Sequence, residues 1–289
     1  MEKVKIITDS TADIPAQMAK DLDISVIPIN VHVAGKCYQD GVTISPNEFY
    51  RKMRSIEELP TTSQPSPLDI VGAYKKAINS GAKQILSLHI SSKMSGTYQS
   101  CLLAKSMVEE EFPDVRIEVI DCKTVTYALG IIAVMVARAA KEGKTLSQLV
   151  SLALKIRDVQ MLLATVDTLD YLHKGGRIGK AKALVGSLLN IKPIIAISDD
   201  GEITAIEIAR GLKKANQRVF ELLKKRFSSG PVVVATLHAD NKSLADLWME
   251  KIEELLDVKE KVTVDIGPAV GTHAGPGTVA CVVVPLDQL

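Results

Sequence analysis

The chain has 289 residues, of which 46% are hydrophobic, and its formal net charge is +1. The apolar content suffices for sizeable cores and the length favours two domains, while the balanced charge argues against bulk attraction to nucleic acid or anionic membrane. Aromatic residues make up only 4% of the chain, so stacking platforms for bases are scarce.

Neither the cysteines nor the histidines have the spacing of a metal site. The four cysteines form no CxxC pair, and the five histidines are dispersed. The first ten residues are strand-like and lack the pattern of a signal peptide. The longest apolar stretch, residues 128–140, is interrupted by Arg138 and is too short to span a bilayer. We therefore expect a cytoplasmic protein without stable membrane insertion.

Short β-branched runs alternate with helical patterns through the first half of the chain. The predicted strands are residues 4–8, 24–33, 84–90 and 116–120. The predicted helices are residues 15–22, 46–54, 68–79, 97–111 and 124–142. Strands that alternate with helices form a parallel sheet covered on both faces. The fold class is therefore α/β, with a Rossmann-like, parallel-sheet domain predicted over residues 1–157.

The second half adds an antiparallel element. Residues 192–197 and 202–209 flank an Asp-Gly turn and predict a hairpin. Further strands are predicted at residues 231–237, 262–266 and 278–284, with helices at 212–226 and 242–256. This pattern predicts a second α/β domain with a mixed sheet over residues 158–289. No Pro/Gly-rich linker separates the halves, so we expect them to pack closely and to form a ligand cleft at their junction.

Two polar segments follow predicted strands, where parallel sheets bind ligands. The first contains Asp9 and Ser10, which form either a binding loop or an ordinary cap of the next turn. The second is residues 61–67, in which two prolines stiffen a loop. A helix start explains the end of that loop. It does not explain why Thr62 and Ser63 are small and polar.

A third polar segment spans residues 91–97. A helix predicted to begin near Gly96 makes Ser95 its N-cap and leaves backbone N–H groups free beside it. The positive end of such a helix favours a carboxylate or a phosphate. Capping alone is the alternative, but the additional hydroxyl groups of Ser92 and Thr97 favour an anion site.

Two glycine-rich segments complete the set. Residues 271–277 form a predicted loop that contains three glycines and His273. An imidazole N–H can donate to a carboxylate, although a lone histidine is more often structural. Residues 173–180 look like a nucleotide phosphate loop, but the glycine spacing is one residue short and Ala181 replaces the required Ser or Thr. We therefore interpret the segment, which contains Lys174 and Arg177, as a basic surface loop suited to a partner or to a negatively charged group. The alternative is a plain turn whose charges are solvated.

Several catalytic motifs are absent from the sequence, which contains no GxGxxG, GxSxG or HExxH. No pair of acids is placed convincingly for general acid and base catalysis. The residues by themselves therefore predict an α/β protein with a hydroxyl-rich anion pocket.

Taken together, the polar segments resemble the bacterial DegV family, and the resemblance covers essentially the whole chain. Five short motifs in this order are specific, and none departs from the family pattern. They are Ile7-Thr8-Asp9-Ser10, Thr62-Ser63-Gln64-Pro65-Ser66-Pro67, Ser-Ser-Lys-Met-Ser-Gly-Thr-Tyr-Gln-Ser at residues 91–100, Gly175-Gly176-Arg177-Ile178, and Val270-Gly271-Thr272-His273-Ala274-Gly275-Pro276-Gly277.

The resemblance implies that the chain binds a long-chain fatty acid, such as palmitate, between its two domains, without a cofactor, a metal or a catalytic residue of its own. Several family members are the fatty acid-binding subunit of a fatty acid kinase. A separate kinase subunit with the ATP site phosphorylates the bound carboxylate, and the acyl phosphate feeds phospholipid synthesis.

The resemblance also implies roles for individual residues. Thr62 and Ser95 would hydrogen-bond the carboxylate, with His273 close to it, and Arg177 and Lys174 would dock the kinase. The remaining pocket residues would support the site: Asp9, Ser10, Ser63, Ser92, Gly96 and Thr97.

Two other classes of function stay open. An enzyme would be a small-molecule phosphotransferase that uses His273 or a hydrolase that uses Ser95, although no base with an orienting partner is evident. The second class is a transcriptional regulator or an interaction module. The nearly neutral net charge argues against direct binding of nucleic acid.

Overall fold

The computed structural model describes residues 3–185 and 191–289, so the first two residues of the strand-like start lie outside it. The strands are β1 Val4–Asp9, β2 Ile24–Ile27, β3 Asn30–Val33, β4 Lys36–Gln39, β5 Thr61–Ser63, β6 Gln84–His89, β7 Arg116–Asp121, β8 Met161–Thr165, β9 Ile191–Ile197, β10 Ile203–Arg210, β11 Pro231–His238, β12 Asp257–Asp265 and β13 Val279–Pro285. The α-helices are α1 Ala16–Asp21, α2 Pro46–Met53, α3 Pro67–Asn79, α4 Thr97–Glu111, α5 Tyr127–Lys141, α6 Leu146–Val159, α7 Asp170–Lys174, α8 Leu212–Phe227, α9 Lys242–Glu253 and α10 Pro268–Ala274.

The first half contains the predicted parallel sheet. Its strand order is β2-β1-β6-β7, and every neighbouring pair is parallel. β1 and β6 are buried almost throughout, as expected for central strands with helices on both faces. Because all four strands run the same way, their carboxyl ends lie along one edge of the sheet.

The predicted strand over residues 24–33 is wrong, because two strands in different sheets replace it. β2 ends before Pro28, which has no N–H for a sheet ladder, and β3 begins two residues later. β3 joins a small antiparallel sheet of order β4-β3-β5. Its third strand, β5, comprises Thr61–Ser63, which the sequence predicted as loop.

The second half contains the predicted mixed sheet, of order β10-β9-β8-β13-β11-β12. The β9–β10 hairpin is antiparallel, whereas β11 and β12 pair in parallel. α8 packs on one face of this sheet through residues four apart on one side of the helix, which are Ala215, Val219, Leu223 and Phe227. The other face of the sheet is therefore turned toward the first half of the chain.

α5 and α6 lie between the two large sheets. α5 is buried at most of its positions, and α6 contacts both β6 of the first sheet and β13 of the second. One apolar cluster accordingly includes Leu86 from β6 and Val282 from β13. The predicted domain boundary at residue 157 falls within α6, which contacts both sheets, so the division stays a prediction. Within the two described ranges, no helix is long and apolar enough to cross a membrane.

The two halves are also joined around the start of α10. The Tyr50 hydroxyl donates to the Ile266 carbonyl oxygen at 2.8 Å, and the Gly267 N–H donates to Asp13 Oδ1 at 2.9 Å. Asp40 lies beside this contact and accepts from Ser10 Oγ at 2.7 Å. Burial raises the pKa of Asp40 to about 7. These bonds fix α10 of the second half against the first.

We expect Tyr50→Phe to lower the free energy of unfolding by about 1–3 kcal/mol, because the buried Ile266 carbonyl loses its donor while the packed ring stays. Urea unfolding followed by circular dichroism measures this change. Tyr38→Phe is the matched control, since the Tyr38 hydroxyl makes no hydrogen bond to any described residue. Equal stability of the two variants would contradict a structural role for the Tyr50 bond.

Candidate functional site

A cavity of about 360 Å³ lies between the parallel sheet and the mixed sheet. Each strand of the parallel sheet is followed by a residue that lines it: Thr11 after β1, Ile29 after β2, Ile90 after β6 and Val125 after β7. The cavity thus occupies the position where open parallel sheets bind ligands. Its volume lies within the range of about 300–1,000 Å³ that is common for small-molecule sites.

The walls of the cavity on the mixed-sheet side are aliphatic. They are formed by alternate residues of β8 and β9 and by the start of β10, which are Leu162, Ala164, Ile195, Ile197 and Ile203. Alternate residues of a strand point to the same face, so the period of the strands places these side chains together. Such a surface suits an alkyl chain and offers nothing to a polar ligand.

Polar side chains gather where β5, α10 and the loop before α4 meet the cavity. Thr62 lies in β5 and lines the cavity, and its Oγ1 is 2.8 Å from His273 Nε2. Ser63 also lines the cavity, and its Oγ is 3.0 Å from His32 Nε2. The structure therefore brings together two segments, around Thr62 and His273, that are 211 residues apart in the sequence.

Ser95 lines the same cavity, although its predicted role as N-cap is wrong. The N-cap of α4 is Gly96, one residue later. Ser95 Oγ accepts from the Thr97 N–H at 3.3 Å and lies 2.8 Å from Thr97 Oγ1. Ser95 therefore still presents a hydroxyl group beside the free N–H groups of the helix start. A Cβ at Gly96 would lie 2.1 Å from Gln64 Oε1, so a side chain there would require the Gln64 amide to move.

His273 lies on the short helix α10, and the loop predicted there begins only at Gly275. Burial, with a smaller contribution from the charge of Arg177, lowers the pKa of His273 to about 4, so the imidazole is neutral at pH 7. Its Nδ1 has no hydrogen-bond partner among the described residues. A Cβ at Gly175 would lie 2.3 Å from that nitrogen, so the glycine is needed for the close approach of the ring.

Arg177 lies at the cavity and not on an exposed surface loop. It is half-buried and lines the cavity beside His273. Its Nε donates to the Met94 carbonyl oxygen at 3.1 Å and its Nη1 to the Gly175 carbonyl oxygen at 2.7 Å. The sequence predicted Arg177 on a basic surface loop, suited to a partner or to a negatively charged group, and the resemblance implied a role in docking the kinase. The glycines on its N-terminal side, which let the chain approach closely, were the available signal for a site.

The other predicted residues lie outside the cavity lining. Lys174 is exposed on α7. Ser10 Oγ accepts from the Ile29 N–H at 3.0 Å, and the Ser92 N–H donates to Asp121 Oδ1 at 3.2 Å. Gly96 is the N-cap of α4 and Thr97 is the first residue of that helix. None of these predicted residues is among those that line the cavity.

Asp9 belongs to a buried network of its own. Asp9 Oδ2 is 2.9 Å from His89 Nδ1, and His89 Nε2 is 2.7 Å from Ser87 Oγ and 3.1 Å from Cys101 Sγ. Burial opposes the charge of His89, but Cys101 and Asp9 outweigh it and raise its pKa to about 10. All four side chains are fully buried and none lines the cavity, so this acid–histidine–nucleophile set has no access to a substrate.

The cavity itself holds no comparable catalytic set. Ser95 bonds to Thr97 and His273 bonds to Thr62, so within the described residues no histidine is bonded to Ser95. A hydrolase that used Ser95 needs a base within hydrogen-bond reach of the nucleophile. The geometry therefore supports binding at this site better than covalent catalysis.

We expect the imidazole of His273 to titrate at about 4 in NMR spectra recorded against pH. Replacing Arg177 with Gln removes a positive charge that opposes protonation, so the pKa should rise. Lys180→Gln, which removes a charge from an exposed neighbour outside the lining, should leave the titration unchanged. An unchanged or lower pKa in Arg177→Gln would contradict the proximity of the two side chains.

Comparison with known proteins identifies the family. Residues 3–286 match the family model described as uncharacterised protein, DegV family. A DegV domain-containing protein of Halalkalibacterium halodurans is 38% identical over 287 residues, which cover 96% of this chain and 97% of that protein. A solved structure on fatty acid binding of a DegV family protein from Thermus thermophilus is 33% identical, with a TM-score of 0.88, and the match covers 98% of this chain and 100% of that chain. A stearic acid-binding protein from Eubacterium ventriosum is 29% identical, with a TM-score of 0.89, and the match covers 99% of this chain and 98% of that chain. The chain belongs to the DegV family.

Proposed function

We propose that this chain binds a long-chain fatty acid, with its alkyl chain in the cavity between the sheets and its carboxylate at the polar end. The observation that carries the proposal is the aliphatic cavity that ends at Thr62, Ser95, Arg177 and His273. Relatives that span the whole chain and bind fatty acids support it.

The free energy of binding is expected to come mainly from the alkyl chain. Each CH₂ group that leaves water gains about 0.8 kcal/mol, so a chain of palmitate length supplies a large apolar term. The carboxylate then needs only enough hydrogen bonds to offset its desolvation. The hydroxyl groups of Thr62 and Ser95 can donate these bonds, and His273 and Arg177 lie beside them.

We further propose that the chain presents the carboxylate to a separate kinase in the cytoplasm, which forms the acyl phosphate. Thr62 and Ser95 offer neutral hydroxyl donors, and the Nε and Nη1 atoms of Arg177 already donate to backbone carbonyl oxygens, so the carboxylate would be held without a full guanidinium fork and its oxygen would remain able to attack a phosphate. Lys174 is exposed on α7, next to the segment that carries Arg177, and is the candidate for docking the kinase. The half-buried Arg177 is assigned to the carboxylate.

The double variant Thr62→Ala with Ser95→Ala should bind palmitic acid at least about 10-fold more weakly, because a hydrogen bond to a charged group contributes about 1.5–3 kcal/mol. Titration with a fluorescent fatty acid, displaced by palmitic acid, measures the affinity. Thr61→Ala with Ser106→Ala is the matched control, since neither residue lines the cavity. Unchanged affinity in the first variant would remove the proposed carboxylate site.

Mass spectrometry of the denatured wild type tests the proposed function itself. The proposal fails if no acyl chain accompanies the protein and if the protein takes up no added fatty acid.

The kinase step is tested by adding the catalytic subunit of a bacterial fatty acid kinase and ATP to the lipid-loaded chain. Acyl phosphate is expected only when both proteins are present. Lys174→Glu should slow its formation several-fold and leave fatty acid binding unchanged, because a surface charge acts mainly on association. Lys214→Glu, on the exposed face of α8, is the control. Equal rates for both variants would remove Lys174 from the docking surface.

A further inference from the structure

We propose that Ala164 and Ala280 form a passage that the alkyl chain has to cross and that Leu162 is the end wall that limits its length, an inference that rests on the proposed fatty acid binding. The two residues are directly opposed in the antiparallel pair of β8 and β13. Both line the cavity, and their exposed fractions are only 6% and 2%. Their methyl groups therefore form the floor at the centre of the mixed sheet.

The neighbours of this pair are larger. In the same row of the sheet, Ile195 pairs with Ala164 and Leu237 pairs with Ala280. Two alanines between an isoleucine and a leucine leave a depression in the floor of the cavity. Side chains stand roughly perpendicular to a sheet, so the depression opens toward the first half of the chain, where Ile90 and Val125 form the opposite wall.

The depression lies between the carboxylate site and the far end of the cavity. Val166 and Thr278 line the cavity where β8 leads to α7 and where β13 follows α10, and the Thr278 hydroxyl donates to the carbonyl oxygen of Ala274, the residue after His273. Ala164 and Ala280 are two residues farther along their strands, about 7 Å away at 3.4 Å per residue. Leu162 follows after two more residues. An alkyl chain that extends from the carboxylate site has to cross the alanine pair before it reaches Leu162.

Beyond the alanine pair, bulky side chains close the cavity. The last lining residue on β8 in that direction is Leu162, and Ile197 and Ile203 lie opposite each other on the hairpin. The structure thus assigns a passage at Ala164 and Ala280 and an end wall at Leu162. A leucine at either alanine adds three carbon atoms to the middle of the passage. An alanine at position 162 removes three from the wall.

A series of saturated fatty acids from 8 to 18 carbons tests this assignment, since each additional buried CH₂ should tighten binding about fourfold until the chain reaches the end of the cavity. The length at which the gain stops is the quantity to compare. We expect it to fall in Ala164→Leu and in Ala280→Leu and to rise in Leu162→Ala. Displacement of a fluorescent fatty acid measures each affinity.

Ala205→Leu is the matched control, because Ala205 pairs with Ile195 in the same row of the sheet but does not line the cavity. The limiting length should be unchanged in this variant. If a leucine variant does not fold, as judged by thermal unfolding, Ala280→Val and Leu162→Ala still give opposite expected shifts. Weaker binding at every length with the same limit, or no shift in any variant, would overturn the inference. Failure of the wild type to bind any fatty acid would instead reject the proposed function.

Discussion

The site depends on one constraint: α10, from the end of the chain, has to stay against the small sheet of the first half. The Thr62–His273 hydrogen bond, at 2.8 Å, forms only when this contact is made, and the Tyr50–Ile266 and Gly267–Asp13 bonds hold the start of the helix in place. Each of these bonds joins groups more than 200 residues apart and is largely withdrawn from water. These bonds add to the apolar surface that the two halves bury against each other, and together they favour the closed arrangement over a separated one. The cavity and its polar end are therefore a product of how the two halves pack, and neither half contains the site alone.

The parallel sheet and the mixed sheet were predictable because the strands, helices and turns that form them have recognisable local sequence patterns. β-branched runs followed by helical periods predict a parallel sheet, and an Asp-Gly turn predicts the β9–β10 hairpin. The small sheet β4-β3-β5 was not predictable, because β5 pairs with a strand about thirty residues earlier and each of its strands has only three or four residues. Short strands carry too little periodicity to be recognised, and their pairing is decided by tertiary contacts.

The candidate site was predictable in part, for a related reason. Thr62 and Ser95 stood out because polar residues clustered beyond what caps and turns require, and His273 stood out because it lies in a glycine-rich segment. All three line one cavity. Asp9 stood out for the same reason, yet it serves the buried network of His89, because a carboxylate at a strand end can turn inward as readily as outward. Arg177 was misplaced, since a basic glycine-rich segment has the same composition whether it lies in solvent or folds back on a site. The aliphatic wall carried no signal, because cavity-lining and core residues have the same side chains.

The contacts of Arg177 bear on how a carboxylate would be held. Its Nε and Nη1 already donate to the Met94 and Gly175 carbonyl oxygens, so the side of the guanidinium that includes Nε is occupied. A carboxylate can then reach only the remaining donors at the end of the group, together with the hydroxyl groups of Thr62 and Ser95. The same positive charge helps to keep His273 neutral, which limits the number of full charges around the ligand to one. In the proposed function the alkyl chain supplies most of the binding free energy, so a weakly held head group would still be retained and would leave a carboxylate oxygen available to the proposed kinase.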